Sequence, residues 1–235
     1  MPGKIYLFPV PIAETPIEHV LPAYNRDCLA GIRHFIVEDI RTARRFLKKV
    51  DPQFEVDACS FYLLNKHTAA TELNQYLTRI KEGFDMGILS ESGCPAIADP
   101  GADIVRMAQE MDVEVIPLVG PSSILLALMA SGFNGQRFCF EGYLPVDKDQ
   151  RAKSLKQLEQ RSYQEDMSLL FIETPYRNQK MLEDLLLHLR PQTRVGFAYD
   201  VTGPDAWIKS KSVAEWKKHR PTLDKKPCIF MLYKG

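Results

Sequence analysis

Short apolar runs alternate with amphipathic stretches along this chain, and the spacing of the two sets the elements. Residues 5–10 (I-Y-L-F-P-V) read as a buried first strand, with further strands at His34–Val37, residues 61–64, Met86–Leu89 and residues 113–119. Helical periods fall between them. Pro22 suits the start of a helix that runs to about Leu29, because proline disrupts a helix interior. Residues 39–50 place Ala43, Phe46, Leu47 and Val50 at i, i+3, i+4 and i+7. Residues 68–81 put Leu73, Tyr76, Leu77 and Ile80 on one face, and another helix runs from about Asp103 to Met111. This alternation predicts a mostly parallel first sheet. The second half has strands at 137–144, 168–173, 194–199, 206–209 and 228–233, and helices at 148–161, 177–190 and 213–219. Leu182, Leu185, Leu186 and Leu189 form the apolar face of the second of these helices. Several of these strands have no helix between them, which predicts a mixed, partly antiparallel sheet. The fold class is α/β, with two α/β domains over 1–118 and 119–235 and a boundary near 117–120.

Composition narrows the class. The 235 residues are 45% hydrophobic and 26% charged, values of a soluble globular protein, and the formal net charge is +0. Neutrality argues against a protein that coats nucleic acid along its length, yet leaves room for a local basic patch. Arg41, Arg44, Arg45 and Lys48 share one face of the 39–50 helix; they either hold phosphates or form a solvated surface. No apolar run approaches the roughly 18–20 residues of a membrane helix, and Met1-Pro2-Gly3-Lys4 opens no signal peptide, so a cytoplasmic protein with no membrane association is expected. The five Cys (28, 59, 94, 139, 228) form no C-x-x-C pair, so reduced, mostly buried thiols are expected. The five His form no H-E-x-x-H, and no metal site is expected. Residues 217–226 are polar, carry two Pro and read as a surface loop.

The chemistry concentrates in the turns. Residues 86–101, M-G-I-L-S-E-S-G-C-P-A-I-A-D-P-G, run from a buried strand into a loop of glycines, prolines, serines and carboxylates, then a helix. Open α/β sheets place ligands beyond the carboxyl ends of their strands. Gly120-Pro121-Ser122-Ser123 puts Pro at the first helical position of an apolar helix over 124–130, either a plain helix start or a seat for a polar ligand group. G-x-G-x-x-G after a strand and G-x-x-x-x-G-K-[ST] are both missing, which removes most dinucleotide-binding dehydrogenases, P-loop enzymes and the common Gly-rich methyltransferases.

Six loops in order carry a resemblance: P-V-P-I (9–12), E-D-I-R (38–41), S-E-S-G-C-P-A-I-A-D-P-G (90–101), V-G-P-S-S (119–123), F-E-G-Y-L-P (140–145) and F-I-E-T-P-Y-R (171–177). Together they resemble the tetrapyrrole methylase superfamily, and within it the ribosomal small subunit methyltransferase I family. The family shows P-T-P-I-G-N where this chain has P-V-P-I-A-E, E-D-T-R where it has E-D-I-R, S-D-A-G-T-P where it has S-E-S-G-C-P, and Y-E-S-P-H-R where it has I-E-T-P-Y-R. The resemblance implies two α/β domains with S-adenosylmethionine in the cleft between them, a homodimer, and methylation of a cytidine ribose 2′-hydroxyl in small-subunit ribosomal RNA. It places the cofactor against Pro11, Glu91, Gly93, Cys94, Ser122, Ser123, Ile172 and Pro227. Glu91 would hold a ribose hydroxyl or the amino-acid end, or else be an exposed loop carboxylate. Glu38 and Asp39 are candidate bases for the acceptor hydroxyl, or helix-start carboxylates at the positive end of the following helix. Arg41, Arg44 and Arg177 are candidates to grip acceptor phosphates. Two alternatives remain: the same chemistry on a tetrapyrrole or other small acceptor, and a non-catalytic relative that keeps the fold.

Overall fold

A computed structural model describes residues 2–64, 68, 70–223 and 225–235. The chain divides into two compact units, Met1–Ser122 and Ser123–Gly235.

The first unit runs β1 (Ile5–Phe8), α1 (Ala23–Ala30), β2 (His34–Val37), α2 (Ile40–Val50), β3 (Ser60–Leu63), α3 (Ala70–Lys81), β4 (Met86–Leu89), α4 (Gly101–Glu110) and β5 (Val115–Pro117). Its five strands are parallel, in the order β3-β2-β4-β1-β5. Alternate strand residues face opposite ways. Phe35 and Val37 pack with Leu29, Ala43 and Leu47 on one face, and Ile36 and Ile88 pack with Leu77, Ile80 and Ile104 on the other. Helices thus cover both faces, which is why the strands read as continuous apolar runs. The register aligns Val37, Leu89 and Phe8 side by side. The residues that follow them, Glu38, Ser90 and Pro9, therefore leave the sheet at one level.

The second unit runs α5 (Ser123–Ser131), β6 (Phe138–Tyr143), α6 (Lys148–Glu165), β7 (Ser168–Ile172), α7 (Asn178–His188), β8 (Arg194–Tyr199), β9 (Trp207–Ser212), α8 (Val213–Lys218) and β10 (Cys228–Tyr233). The sheet order is β6-β7-β10-β8-β9. β6 and β7 are parallel; every other pair is antiparallel. Leu155, Leu182 and Leu185 pack with Phe171, Phe197, Trp216 and Phe230 in the core. The Trp216 indole N–H donates to Val195 O at 2.8 Å. Arg151 and Asp184 form a buried ion pair at 2.6 Å, and the Arg151 guanidinium also donates to Pro145 O and Val146 O. That pair fixes the turn after β6 to α6 and α7.

Six expectations need correction. The strand expected over 113–119 is three residues long, and Val119 is 73% exposed. β5 lies at the sheet edge, and its last residue, Pro117, has no N–H to give a ladder. Pro121 precedes the first residue of α5 by two positions, so it is not at the first helical position. α6 runs four residues beyond 161, ending where Asp166 turns left-handed (φ 52°). β9 is longer than 206–209, because all six of its residues pair with β8 despite their polar alternation. Residues 217–226 are not simply surface: Leu223 is 4% exposed and belongs to the core. Asp224 within that stretch, and residue 69 within the expected 68–81 helix, lie outside the described residues. All five cysteines are free thiols, but only Cys228 is fully buried.

Removing one partner of a buried ion pair leaves an uncompensated charge. Asp184→Ala is expected to lower stability by about 3–5 kcal/mol in urea unfolding. Arg151→Met combined with Asp184→Leu should recover most of that loss.

Candidate functional site

The turns beyond the strand ends of the first unit are bound to one another by backbone. Val10 and Gly93 exchange both bonds of an antiparallel bridge, Val10 N to Gly93 O at 2.9 Å and Gly93 N to Val10 O at 3.2 Å. Ser90 Oγ donates to Gly93 O at 3.1 Å, and the Cys94 thiol to Pro121 O at 3.5 Å. Glycine is required at two of these positions. Gly93 has φ +75°, and a Cβ there would meet Ile12 Cγ2 at 3.1 Å. A Cβ on Gly120 would lie 2.2 Å from Pro9 Cβ. Ala96 and Ala98 also adopt positive φ, 66° and 61°, a conformation that costs non-glycine residues energy and clusters at functional loops. The Asp99 carboxylate holds this loop by accepting from Ala96 N and Gly101 N, each at 2.8 Å.

Burial separates the two candidate bases. Asp39 caps α2: its carboxylate accepts from Thr42 N at 2.8 Å, which holds its pKa below the ordinary aspartate value. Glu38 lines a small hollow with Leu64, Leu89, Asp99 and Gly101. Burial raises its pKa, opposed by the Glu91 N–H that points to it at 3.4 Å, and the negative charges of Asp99 and Glu91 raise it further. Burial likewise raises Asp99, against its two backbone donors. Glu91 is exposed, and its Oε1 lies 2.6 Å from the Thr42 hydroxyl. Thr42 and Asp99 thus join Glu38, Asp39 and Glu91. Sequence reasoning missed both. The D-x-x-T step of a capped helix start marked Thr42, and the D-P-G turn marked Asp99.

An open groove of about 400 Å³ runs beside them, lined by Pro11, Thr42, Arg45, Phe46, Lys49 and Glu91 among others. The α2 cations do not act as one stripe. Arg44 pairs with Asp57 and lies over the Phe61 ring, and Lys48 donates to Pro52 O at 3.0 Å. Among the described residues, neither Arg41 nor Arg45 forms a side-chain ion pair with a carboxylate, although the charge of Arg41 lies close enough to Asp39 to help lower that group's pKa.

In the second unit, Ile172 ends β7 opposite Ile229, and Pro227 immediately precedes β10. Antiparallel pairing of β7 with β10 thus brings Ile172 and Pro227 to the same end of the sheet. Arg177 lies near them, but its guanidinium grips the buried Glu173 carboxylate at 2.5 and 2.7 Å. Ser123 opens α5, and Ser122 is the last residue of the first unit. Among the described residues, no cluster of three or more His, Cys, Asp or Glu could hold a metal, and no helix is long and apolar enough to cross a membrane.

Gly93→Ala forces an L residue into the left-handed region and is expected to cost about 1–2 kcal/mol by thermal unfolding. For Glu38, a raised folded pKa means that stability present at low pH is lost as pH rises through that value. Glu38→Gln removes the loss. Urea titrations from acid to neutral pH should therefore show the variant gaining on the parent as pH rises.

The family model for Tetrapyrrole (Corrin/Porphyrin) Methylases matches residues 24–216. Two curated relatives carry the name ribosomal RNA small subunit methyltransferase I. The Escherichia coli O157:H7 protein is 30% identical over 215 residues, which cover 91% of this chain and 70% of that protein. The Haemophilus influenzae protein is 30% identical over 175 residues, 73% of this chain and 60% of that protein, so the match leaves a sizeable part of that relative uncovered. Among solved structures, the methyltransferase CobJ superposes with a TM-score of 0.62 at 16% identity, over 99% of this chain and 100% of its own. That likeness speaks to the fold, while the family match spans both units: the chain belongs to the tetrapyrrole (corrin/porphyrin) methylase family.

Proposed function

We propose that this protein is an S-adenosylmethionine-dependent methyltransferase that 2′-O-methylates a ribose in small-subunit ribosomal RNA. The observation that carries the reading is the match of two relatives of that name over 91% and 73% of the chain. The parallel strand ends suit such a ligand: the 90–101 loop is built mostly from small residues, and Gly93 lets it pack closely on the turn after β1. Pro11, Glu91, Gly93, Cys94 and Ser122 of the first unit are the residues proposed to hold the cofactor, with Ser123, Ile172 and Pro227 of the second. When bound, the cofactor supplies an electrophilic methyl group on a sulfonium. The protein's share is orientation, which can remove several kcal/mol from the barrier, and proton removal from a weakly nucleophilic hydroxyl.

Glu38 takes the role of base. Its carboxylate is half-buried and raised in pKa, closer to the operating pH than a solvated glutamate, whereas the Asp39 carboxylate is held by its cap. Arg41 and Arg45 are available for acceptor phosphates; Arg44 and Arg177 are drawn to Asp57 and Glu173. A cytoplasmic homodimer completes the reading. The family's own description, naming corrins and porphyrins, supports a second acceptor class.

Calorimetry with S-adenosylmethionine tests the cofactor, and labelled methyl transfer tests the acceptor. The proposal expects label in the ribosomal RNA of small subunits from a strain lacking the enzyme. Label entering a porphyrinoid instead moves the activity to the second class, and no heat with the cofactor removes the enzymatic reading. Glu38→Gln should lower turnover by about 10²–10⁴-fold with little change in cofactor affinity.

A further inference from the structure

The overall charge of +0 conceals a segregation. The first unit holds 12 Lys and Arg against 17 Asp and Glu, and the second holds 18 against 13. The excess of cations in the second unit includes a group at one place. Lys148 at the start of α6, Lys180 on α7, and Lys217 and Arg220 at and beyond the end of α8 line an open groove of about 470 Å³. None of the six residues Pro11, Glu38, Asp39, Arg41, Glu91 or Gly93 takes part in it.

The two carboxylates at the groove weaken its charge little. Asp184 is buried and already neutralised by Arg151 at 2.6 Å. Lys180 lies 3.4 Å from Asp184 and 3.8 Å from Glu183, long and solvated contacts. Among the described residues, Lys148, Lys217 and Arg220 have no ion-pair or hydrogen-bond partner in their side chains. Charges left unpaired on a protein surface serve solubility when scattered. Gathered along a groove, they raise the local concentration of polyanions. The groove wall also offers Leu187, 66% exposed, as an apolar contact beside the cations. An extended polyanion with apolar faces between its charges matches this combination, and a single-stranded or looped RNA has that chemistry.

We infer that the Lys148–Lys180–Lys217–Arg220 groove is a docking site for the RNA backbone, lined by none of the residues proposed as base or cofactor contacts. The inference rests on the reading of the acceptor as RNA. It assigns affinity to cations of the second unit in addition to Arg41 and Arg45 of α2, where Arg44 and Lys48 are occupied within the fold.

The test uses the full chain and a fluorescein-labelled RNA hairpin of about 30 nucleotides, titrated at several salt concentrations. Lys148→Ala, Lys217→Ala and Arg220→Ala are combined. Each lost phosphate contact removes about 0.7 from the slope of log K against log salt for single strands, so the triple variant should lose about 2 from that slope and bind at least about tenfold more weakly at low salt. Lys153→Ala, Lys156→Ala and Lys209→Ala, also combined, remove the same charge from exposed positions outside the groove and should leave the slope within about half a unit. All three proteins should show the same melting temperature and the same heat with S-adenosylmethionine. Equal losses in the two triple variants, an unchanged slope in the first, or binding of anionic phospholipid vesicles in place of RNA would overturn the inference. Methyl transfer to small subunits, run on the same variants, keeps the two claims apart. Transfer undiminished in the groove variant at limiting substrate defeats the docking site alone. Groove-dependent RNA binding without any transfer defeats the assigned reaction alone.

Discussion

The two backbone hydrogen bonds between Val10 and Gly93 are the constraint on which the candidate site depends. They join the turn after β1 to the loop after β4, two segments that the parallel sheet brings to the same level but does not itself connect. The close approach is possible only because residue 93 lacks a side chain and takes a left-handed conformation. Ser90 and Cys94 then add bonds on either side of it, and Gly120 lets the third turn reach Pro9. A loop with three left-handed residues within six positions would be floppy or strained if free. Here the bridge and the Asp99 carboxylate over-determine it.

The same placement sorts the carboxylates by role. Glu38 and Asp39 are adjacent in sequence but meet different surroundings. One is half-buried in a small hollow, so its charged form is disfavoured; the other accepts N–H bonds at a helix start, so its charged form is favoured. Two neighbouring acids with pKa values pushed in opposite directions form a pair from which acid–base chemistry can select. On a larger scale, the excess of acids in the first unit and of bases in the second gives a neutral protein two surfaces of opposite character.

Much of the fold was legible where burial was complete. His34–Val37, Met86–Leu89, Arg194–Tyr199 and Cys228–Tyr233 have the bounds that their apolar runs imply, because a strand covered on both faces leaves no polar position to blur its ends. Legibility failed where tertiary contacts override local pattern. The expected strand stops at Lys209, before the polar S-K-S, yet all six residues of W-I-K-S-K-S pair with β8. Leu223 sits in a polar stretch and is still drawn into the core. The site was partly legible, since its turns carry recognisable residues in order. What spacing cannot convey is commitment across long separations. Arg44 is taken up by Asp57 at 13 residues' remove and Thr42 by Glu91 at 49. These bonds decide which charged groups remain available to a ligand.

Hydrogen–deuterium exchange with and without S-adenosylmethionine tests most directly whether the joined turns form the donor site. Slowed exchange should appear in peptides spanning 9–12 and 90–101, with α3 unchanged. Exchange in both turns unaffected by a saturating donor, while protection appears on α3 or nowhere, would contradict the account.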